Sequence, residues 1–513
     1  MHILLISPQK DLFDVIGLQY LHYCLLKNSY NSFLVYLPNF NPNDDNALEH
    51  IRKFVFEMSP KLIGISLMSV EYFDACDLTK HLKSNFQSIP IIWGGIHPTI
   101  APEMCLDCAD YVCIGEGERT IIDLANAINE NASLANIKNL CYLENGEIKR
   151  NPLYPLIENL DEIPSYDHIP VNGFIQEKNG RIVPLDKKVF KRYARLGGTF
   201  YSVISSRGCP FSCTYCCNNL ISRLYQSKKV RRRSISNVIS ELEKAVNNNP
   251  EIEYINFQDD CFLACSNEHL KEFCEIYKER IRKPFVIRSI PIYVNRDKIE
   301  SLKDAGLAWI TMGLQSGSDR VCKEIYKRKS LKADFLKAAK LIKDFNIAAF
   351  YDIILDNPFE SEEDRLETVQ TLIETPKPFY TQLFSLSLYL GTELYERAQK
   401  ECPEKIEDSL KKDFLVYHKD VVNNMIRLAT FLSEGYMNEI VYLYKQNPAG
   451  FRFKVILFIA NLLSVTIFEP FTYYRVIKLA QGGSYVRTLK VLPNYFREGF
   501  KRYLNQFKAK TRR

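Results

Sequence analysis

The sequence predicts an α/β protein: an N-terminal doubly wound parallel sheet, then a partial β/α barrel, then a helical C-terminal region. Three observations carry this. Short apolar runs alternate with helical periodicity over residues 1–130. A second alternating series starts at Tyr201, and strand signals stop after about Leu394. At 513 residues the chain is too long for one hydrophobic core. The expected domains are therefore 1–150, a connector over 151–200, a barrel over 201–394 and a helical region over 395–513 with a basic tail.

In the first series the strands are His2–Ser7, Ser32–Leu37, Leu62–Ser66, Ile89–Gly94 and Tyr111–Ile114. Helical patterns at Gly17–Lys27, Leu48–Met58, Tyr72–Lys83 and Glu118–Ile128 fit between and after them. Strands alternating with helices read as a parallel sheet. Ligands on such sheets bind at the carboxyl ends of the strands. Those ends are Ser7-Pro8, Ser66-Leu67-Met68-Ser69, Gly94-Gly95-Ile96-His97-Pro98 and Gly115-Glu116-Gly117-Glu118.

Residues 131–200 lack a clear period, and Asn159-Leu160-Asp161-Glu162-Ile163-Pro164 reads as a connector. The second series has strands at Ser202–Ser206, Tyr254–Gln258, Phe285–Ser289, Trp309–Gly313, Ala348–Leu355 and Gln382–Leu388. Helices at Ser236–Asn247, Asn267–Ile281, Leu331–Phe345 and Glu362–Glu374 separate them. About six βα units fit a partial or closed barrel. Beyond it, the apolar stretch Val455–Phe468 is 14 residues long and includes Asn461, Ser464 and Thr466. A spanning helix wants roughly 18–20 apolar residues, so a buried or interfacial helix is expected here.

Composition bounds the function. The chain is 46% hydrophobic and 25% charged, which excludes a disordered, fibrous or disulfide mini-protein class. Net charge is +6, unevenly placed: residues 471–513 hold 11 Lys and Arg against one Glu, a net +10, leaving −4 on the remainder. A basic, aromatic-rich tail suits an anionic surface. The apolar run upstream favours lipid over nucleic acid, with a helical cap on the barrel as the alternative. The chain opens MHILLISPQK, which reads as a buried strand rather than a leader. With 15 cysteines in an expected cytoplasmic setting, reduced thiols serving metal or redox chemistry are expected rather than disulfides.

The sharpest signal is Arg207-Gly208-Cys209-Pro210-Phe211-Ser212-Cys213-Thr214-Tyr215-Cys216-Cys217-Asn218-Asn219. Cys209, Cys213 and Cys216 form a C-x3-C-x2-C run in the loop after a strand. Three thiolates on one loop suit a [4Fe–4S] cluster with one iron left open. A zinc site with Cys217 as fourth ligand is the alternative.

This motif, with Tyr215 before the third cysteine and a β/α barrel around it, resembles the radical S-adenosylmethionine superfamily. Ile255-Asn256-Phe257-Gln258-Asp259-Asp260 resembles its second-strand segment. Gly313-Leu314-Gln315-Ser316-Gly317-Ser318 resembles its G-[IV]-E-S segment near adenosylmethionine, with Gln315 where Glu is usual. Asp356-Asn357-Pro358-Phe359-Glu360 and Leu390-Gly391-Thr392 resemble its Gly-x-Pro and Pro-Gly-Thr turns, with Asp356 or Asn357 where Gly is expected. Upstream, Ser66-Leu67, Gly94-Gly95-Ile96-His97-Pro98 and Gly115-Glu116-Gly117-Glu118 resemble the cobalamin-binding domain of the class B radical enzymes. The Asp-x-His-x-x-Gly motif of other cobalamin proteins is absent, so no His from that motif is expected on cobalt.

The resemblance implies three cofactors: a [4Fe–4S] cluster, S-adenosylmethionine and cobalamin. It implies Cys209, Cys213 and Cys216 as cluster ligands. Tyr215, Asp259, Asp260, Arg288, Gln315 and Ser316 are then expected near adenosylmethionine or substrate. Ser66, Leu67, Gly94, Gly95, His97, Gly115, Glu116, Gly117 and Glu118 are expected near cobalamin, His97 with a surface-loop alternative. The implied reaction is methylation of an unactivated carbon in a small-molecule or lipid-like substrate, through a 5′-deoxyadenosyl radical and methylcobalamin. Radical cyclisation, oxidation or carbon–carbon coupling with the same cofactors is the alternative, and a non-catalytic cobalamin sensor a distant one. An electron donor of flavodoxin or ferredoxin type is implied. Peripheral membrane contact through the basic C-terminus is a further expectation, and nucleic acid is not expected.

Lesser signals have bland readings. Cys105, Cys108 and Cys113 read as packing cysteines rather than a second metal site, and Cys217, Cys261 and Cys265, near strand ends, as packing cysteines rather than ones facing the active site. Arg231-Arg232-Arg233 reads as a solvated basic face.

Overall fold

The computed structural model describes residues 1–9, 15–406 and 414–485, together with 488 and 493. The basic tail beyond residue 485 otherwise lies outside the described residues.

The first sheet is built from β1 (His2–Ser7), β2 (Asn31–Tyr36), β3 (Leu62–Ser66), β4 (Ile91–Gly94) and β5 (Tyr111–Cys113). To these are added β6 (Leu140–Glu144), β7 (Glu147–Arg150), β8 (Gly173–Gln176) and β9 (Ile182–Pro184). Among the described residues the order is β7-β6-β5-β4-β3-β1-β2-β8-β9. β1 to β5 are parallel, and β2 lies on one side of β1 with β3 on the other. That reversal opens a crevice at the carboxyl ends of β1 and β3. Alternate residues of a strand face opposite sides. Leu4, Ile63 and Trp93 accordingly enter one core, and Ile3, Leu5 and Ile92 the other.

Residues 151–200 are more than the connector expected of them. β8 adds to β2 and β9 to β8, extending the sheet. Strands of four and three residues are too short to leave a period in the sequence.

The second sheet comprises β10 (Phe200–Val203), β13 (Tyr254–Phe257), β14 (Phe285–Ser289), β15 (Leu307–Gln315), β16 (Ala348–Leu355) and β17 (Tyr380–Ser385). These six run parallel in that order as a partial barrel. A two-residue hairpin, β11 (Ser206–Arg207) with β12 (Arg231–Arg232), stands at its carboxyl end. Ser234, Ser266, Asn295 and Ser361 open the intervening helices, each side chain accepting a backbone N–H three residues on.

The C-terminal region is helical through Val421–Phe431, Glu434–Gln446 and a continuous 30-residue helix, Phe451–Ala480. The last corrects the 14-residue expectation: this one is long and apolar enough to cross a membrane by length and composition. Its polar residues interrupt the hydropathy but not the helix. Asn461 donates to Leu457 O at 2.8 Å and Thr466 to Leu462 O at 2.8 Å, bonds a helix supplies internally. Val476 and Ala480 pack on Ala348, Trp309 and Phe350, and Gln481 donates to the Tyr254 hydroxyl. With the Phe200, Tyr254 and Trp309 rings clustered 4.8–5.7 Å apart, the helix seals the amino end of the barrel.

The expectation of uniformly reduced thiols fails at one pair. Cys76 and Cys108 form a disulfide, and the other 13 cysteines are free. Their Cα atoms lie 5.5 Å apart across 32 residues of sequence, a juxtaposition that spacing could not reveal.

Candidate active site

The cysteine loop leaves the barrel through the β11–β12 hairpin. Gly208 has φ +102°, and a Cβ there would meet Lys229 O at 2.7 Å, so the turn demands glycine. Cys209, Cys213 and Cys216 follow, half-buried and free of disulfides. Burial pushes the Cys209 thiol up to about 12. Cys216 N–H donates to Cys213 O at 3.1 Å, tightening the turn. Thr214 locks it in place, its hydroxyl donating to Ile325 O at 2.6 Å and its N–H to Tyr326 O at 3.1 Å. Tyr215 lies edge-on to Tyr326 and accepts from Arg328 Nη1 at 2.9 Å. The second arm of Arg328 donates to Gly313 O at 2.9 Å, so one guanidinium joins the cysteine loop to β15.

Around this loop the barrel strands bring polar groups together at their carboxyl ends. Arg288 on β14 is exposed and donates to Gln258 Oε1. Gln315 ends β15 at φ +68°, where the pairing with β16 shifts register, and its buried Oε1 has no partner. Asp352 on β16 is half-buried with Oδ1 unpartnered. Burial pushes its carboxyl up to about 6, against the pull of Arg288 and Arg328. Ser316 is buried, bonds to Glu360, and lies 3.4 Å from the Thr368 hydroxyl. Burial raises Glu360 to about 7.

The two acids expected near adenosylmethionine part company. Asp259 is buried, and its carboxylate accepts from Ser205 N at 3.2 Å, Ser205 Oγ at 2.8 Å and Ser206 Oγ. It braces the strand end. Asp260 meets the Asn218 side chain and the Gly208 backbone beside the cysteine loop. Asp356, one of the two positions where the resemblance expects glycine, takes φ +59° as glycine would. Its carboxylate accepts from Ser385 Oγ at 2.7 Å, His418 N at 3.1 Å and Asn423 Nδ2 at 3.1 Å, pinning the C-terminal region to the barrel.

The first sheet presents its own carboxyl edge. Gly95 has φ +100° and a Cβ there would meet Leu67 O at 2.8 Å and Ser66 Oγ at 3.2 Å. Ser66, Leu67, Gly94 and Gly95 thus form one tight ledge over β3 and β4. Gly117 has ordinary φ, with Leu21 at 3.4 Å from a built Cβ. His97 is 1% exposed, which overturns the surface-loop alternative. Its Nδ1 pairs with Ser69 Oγ at 3.0 Å, its Nε2 has no partner, and burial lowers it to about 4, leaving it neutral.

The two edges face each other. Glu116 accepts from Arg231 Nη2 at 2.8 Å and from Arg207 Nη1 at 3.2 Å. Glu118 accepts from Arg207 Nη2 at 2.6 Å. Burial alone would raise the Glu116 carboxyl, but Arg231 and Arg207 outweigh it and hold it below the ordinary range. These carboxylates, expected beside cobalamin, are taken up by the barrel's arginines. Gly115, φ +85°, lies against the Tyr225 hydroxyl. The turn Ile96–Ile100 packs on the helix Cys217–Leu224 that follows the cysteines.

The same network corrects the solvated reading of residues 231–233. Arg231 and Arg233 are 6% and 8% exposed, Arg233 pairs with buried Glu241 at 2.5 Å, and Arg232 donates to Ala264 O at 2.8 Å. Cys105 and Cys113 are buried packing residues, while Cys108 is in the disulfide.

The Radical SAM superfamily model matches residues 203–372, and the B12 binding domain model matches residues 1–125. An uncharacterised methyltransferase of Pyrococcus horikoshii is 30% identical over 363 residues, 69% of this chain and 73% of its own length. The chain belongs to the cobalamin-binding radical S-adenosylmethionine enzymes. Its fold is shared with the radical S-adenosylmethionine methyltransferase TsrM of Kitasatospora setae, at 18% identity and TM-score 0.62, covering 78% of each chain. It is shared also with the cobalamin-dependent radical enzyme OxsB, at 17% identity and TM-score 0.64, covering 99% of this chain and 80% of that one.

The cofactors of this class are a [4Fe–4S] cluster, S-adenosylmethionine and cobalamin. The residues present fit them. Three free thiols share one glycine-gated loop. Buried acceptors at Gln315 and Asp352 stand without partners beside it. A ledge that a single Cβ would fill lies at Gly95. Asp352 and Arg328 escaped the sequence reading. The signal for Asp352 was a lone acid inside an apolar strand.

Proposed function

We propose that this enzyme methylates an unactivated carbon of a small-molecule or lipid-like substrate. The observation that supports the reading is the apposition of the two carboxyl edges, tied by Glu116 to Arg207 and Arg231, with the Gly95 ledge on one edge and the cysteine loop on the other. Methyltransferase names among the relatives support it.

In this reading Cys209, Cys213 and Cys216 hold the cluster and leave one iron open. Gln315 Oε1 and Asp352 Oδ1 accept hydrogen bonds from adenosylmethionine or substrate, satisfying two buried acceptors. Arg288 offers its exposed guanidinium to a carboxylate. Gly95 lets backbone approach the corrin, and neutral His97 offers Nε2 beside it. When bound, the cluster and adenosylmethionine supply a radical that abstracts hydrogen, and cobalamin supplies the methyl group. The protein's share is to hold donor and acceptor in register and keep water out. We further assign a small-protein electron donor, a cytoplasmic setting and peripheral contact with lipid.

The test is an anaerobic reaction with reduced, reconstituted protein, methyl-deuterated adenosylmethionine and an extract of the host. Expected are 5′-deoxyadenosine, S-adenosylhomocysteine and one deuterated product. Deoxyadenosine without deuterium transfer overturns methylation and leaves cyclisation, oxidation or coupling. No deoxyadenosine at all leaves a cobalamin sensor.

A further inference from the structure

We propose that the helix Phe451–Ala480 seats the enzyme on an anionic lipid surface, lying flat in the interface with the amino end of the barrel toward the lipid. Phe451, Val455, Phe458, Leu462 and Val465 recur at steps of four and three and so share one helix face. They are exposed, Phe451 by 84% and Phe458 by 70%. A second row, Ile459, Ile467 and Phe471, lies beside them, each at least 47% exposed. A continuous apolar ridge of this kind marks an interaction surface.

The helix is long enough to span a bilayer, yet its other face is tied down. Arg427 reaches Asn461 at 2.9 Å, Ser464 at 3.2 Å and Glu469 at 3.3 Å. Val476, Ile477 and Ala480 are buried. Crossing a membrane would strip those contacts; lying along it keeps them and buries only the free ridge.

Charge selects the occupant. Residues 451–468 contain no acid, Lys454 and Arg475 are exposed beside the ridge, and residues 471–513 sum to +10. A second copy docking through this face would bring like charges together, whereas anionic headgroups neutralise them. The contact opens no path from bilayer to site. The Trp309, Tyr254 and Phe350 rings close that end, and the cysteine loop stands at the other.

The test is flotation of full-length protein with vesicles of equimolar phosphatidylcholine and phosphatidylglycerol. It reads binding independently of any methylation. Wild type is expected to float at low salt and to release at high salt. Phe458→Glu/Leu462→Glu/Val465→Glu changes only exposed positions and is expected to bind at least about tenfold more weakly, with unchanged Tm. Phe458→Trp is expected to shift to the blue on these vesicles and to be quenched most by shallow brominated acyl chains. Wild type that fails to float, or a triple variant that floats equally, overturns the proposal. Strongest quenching by deep bromines overturns the flat orientation. A wild-type dimer that the triple variant abolishes, with no flotation, assigns the ridge to a second copy instead.

Discussion

The two ends of the barrel are built on opposite principles. At the carboxyl end, Gln315 Oε1, Asp352 Oδ1 and Arg328 Nε are buried without partners, beside free thiols and a glycine-gated turn. At the amino end, aromatic rings interlock and Gln481 answers the Tyr254 hydroxyl. Each unsatisfied buried group costs about 1–3 kcal/mol, which a bound ligand returns. Packing at the sealed end and polar ties along the sides offset that cost.

The largest effect expected of breaking this contrast is at the thiols. Cys216→Ala should lose the iron and all adenosylmethionine cleavage, measured as iron content and 5′-deoxyadenosine, because two thiolates do not hold the cube with one iron free. Cys217→Ala should keep most of both, which separates ligand from neighbour.

Next is the tie between sheet and barrel. Glu116→Gln leaves Arg207 and Arg231 without their shared carboxylate and should cost about 3 kcal/mol in chemical denaturation. The Glu116 carboxyl lies below its ordinary value when folded. Its stabilisation is therefore complete above the ordinary carboxylate range and is lost as pH falls through the folded value. Denaturation midpoints measured across acid pH should show a shallower decline in Glu116→Gln than in wild type.

At the sealed end, Trp309→Ala removes a half-buried ring from among Phe200, Tyr254 and Phe350 and should cost about 3 kcal/mol, the low end for such a truncation. Iron content and cobalamin absorbance should stay normal, since the damage lies at the far end from the cofactors.

The smallest effect sharpens the open end. With its carboxyl near 6, Asp352 is ionised above that pH and protonated below it. Affinity for adenosylmethionine should weaken about tenfold, or 1.4 kcal/mol, as pH falls through 6, if the ligand donates to the ionised form. Asp352→Asn should flatten that profile in equilibrium binding while leaving the iron untouched.

The same contrast explains what the sequence could reveal. Cys209, Cys213 and Cys216 stand out because their C-x3-C-x2-C spacing is local. So do the strands of both series, because burial writes its period into neighbouring residues. Glu116 with Arg231 was not legible as a pair, since it spans 115 residues, and alone Glu116 reads as part of a cobalamin loop and Arg231 as a solvated face. One basic run misled in the same way, and a second offered no signal. Arg231 and Arg233 are buried in their run, and Arg328 is half-buried between exposed Lys327 and Lys329. A guanidinium with several hydrogen-bonding partners can be buried where its neighbours are solvated, and composition does not tell them apart. The long C-terminal helix was read short because its polar residues interrupt hydropathy without interrupting backbone geometry.

Asp356 has a consequence for how such enzymes exchange parts. A glycine at that turn would serve backbone geometry alone; Asp356 serves the geometry and also fastens His418 and Asn423 to the strand end. The C-terminal region is therefore not a freely transferable module. A chimera that grafts residues 395–513 onto a relative bearing glycine there imports the helices without their latch. One that carries Asp356 along transfers region and fastening as a single heritable unit.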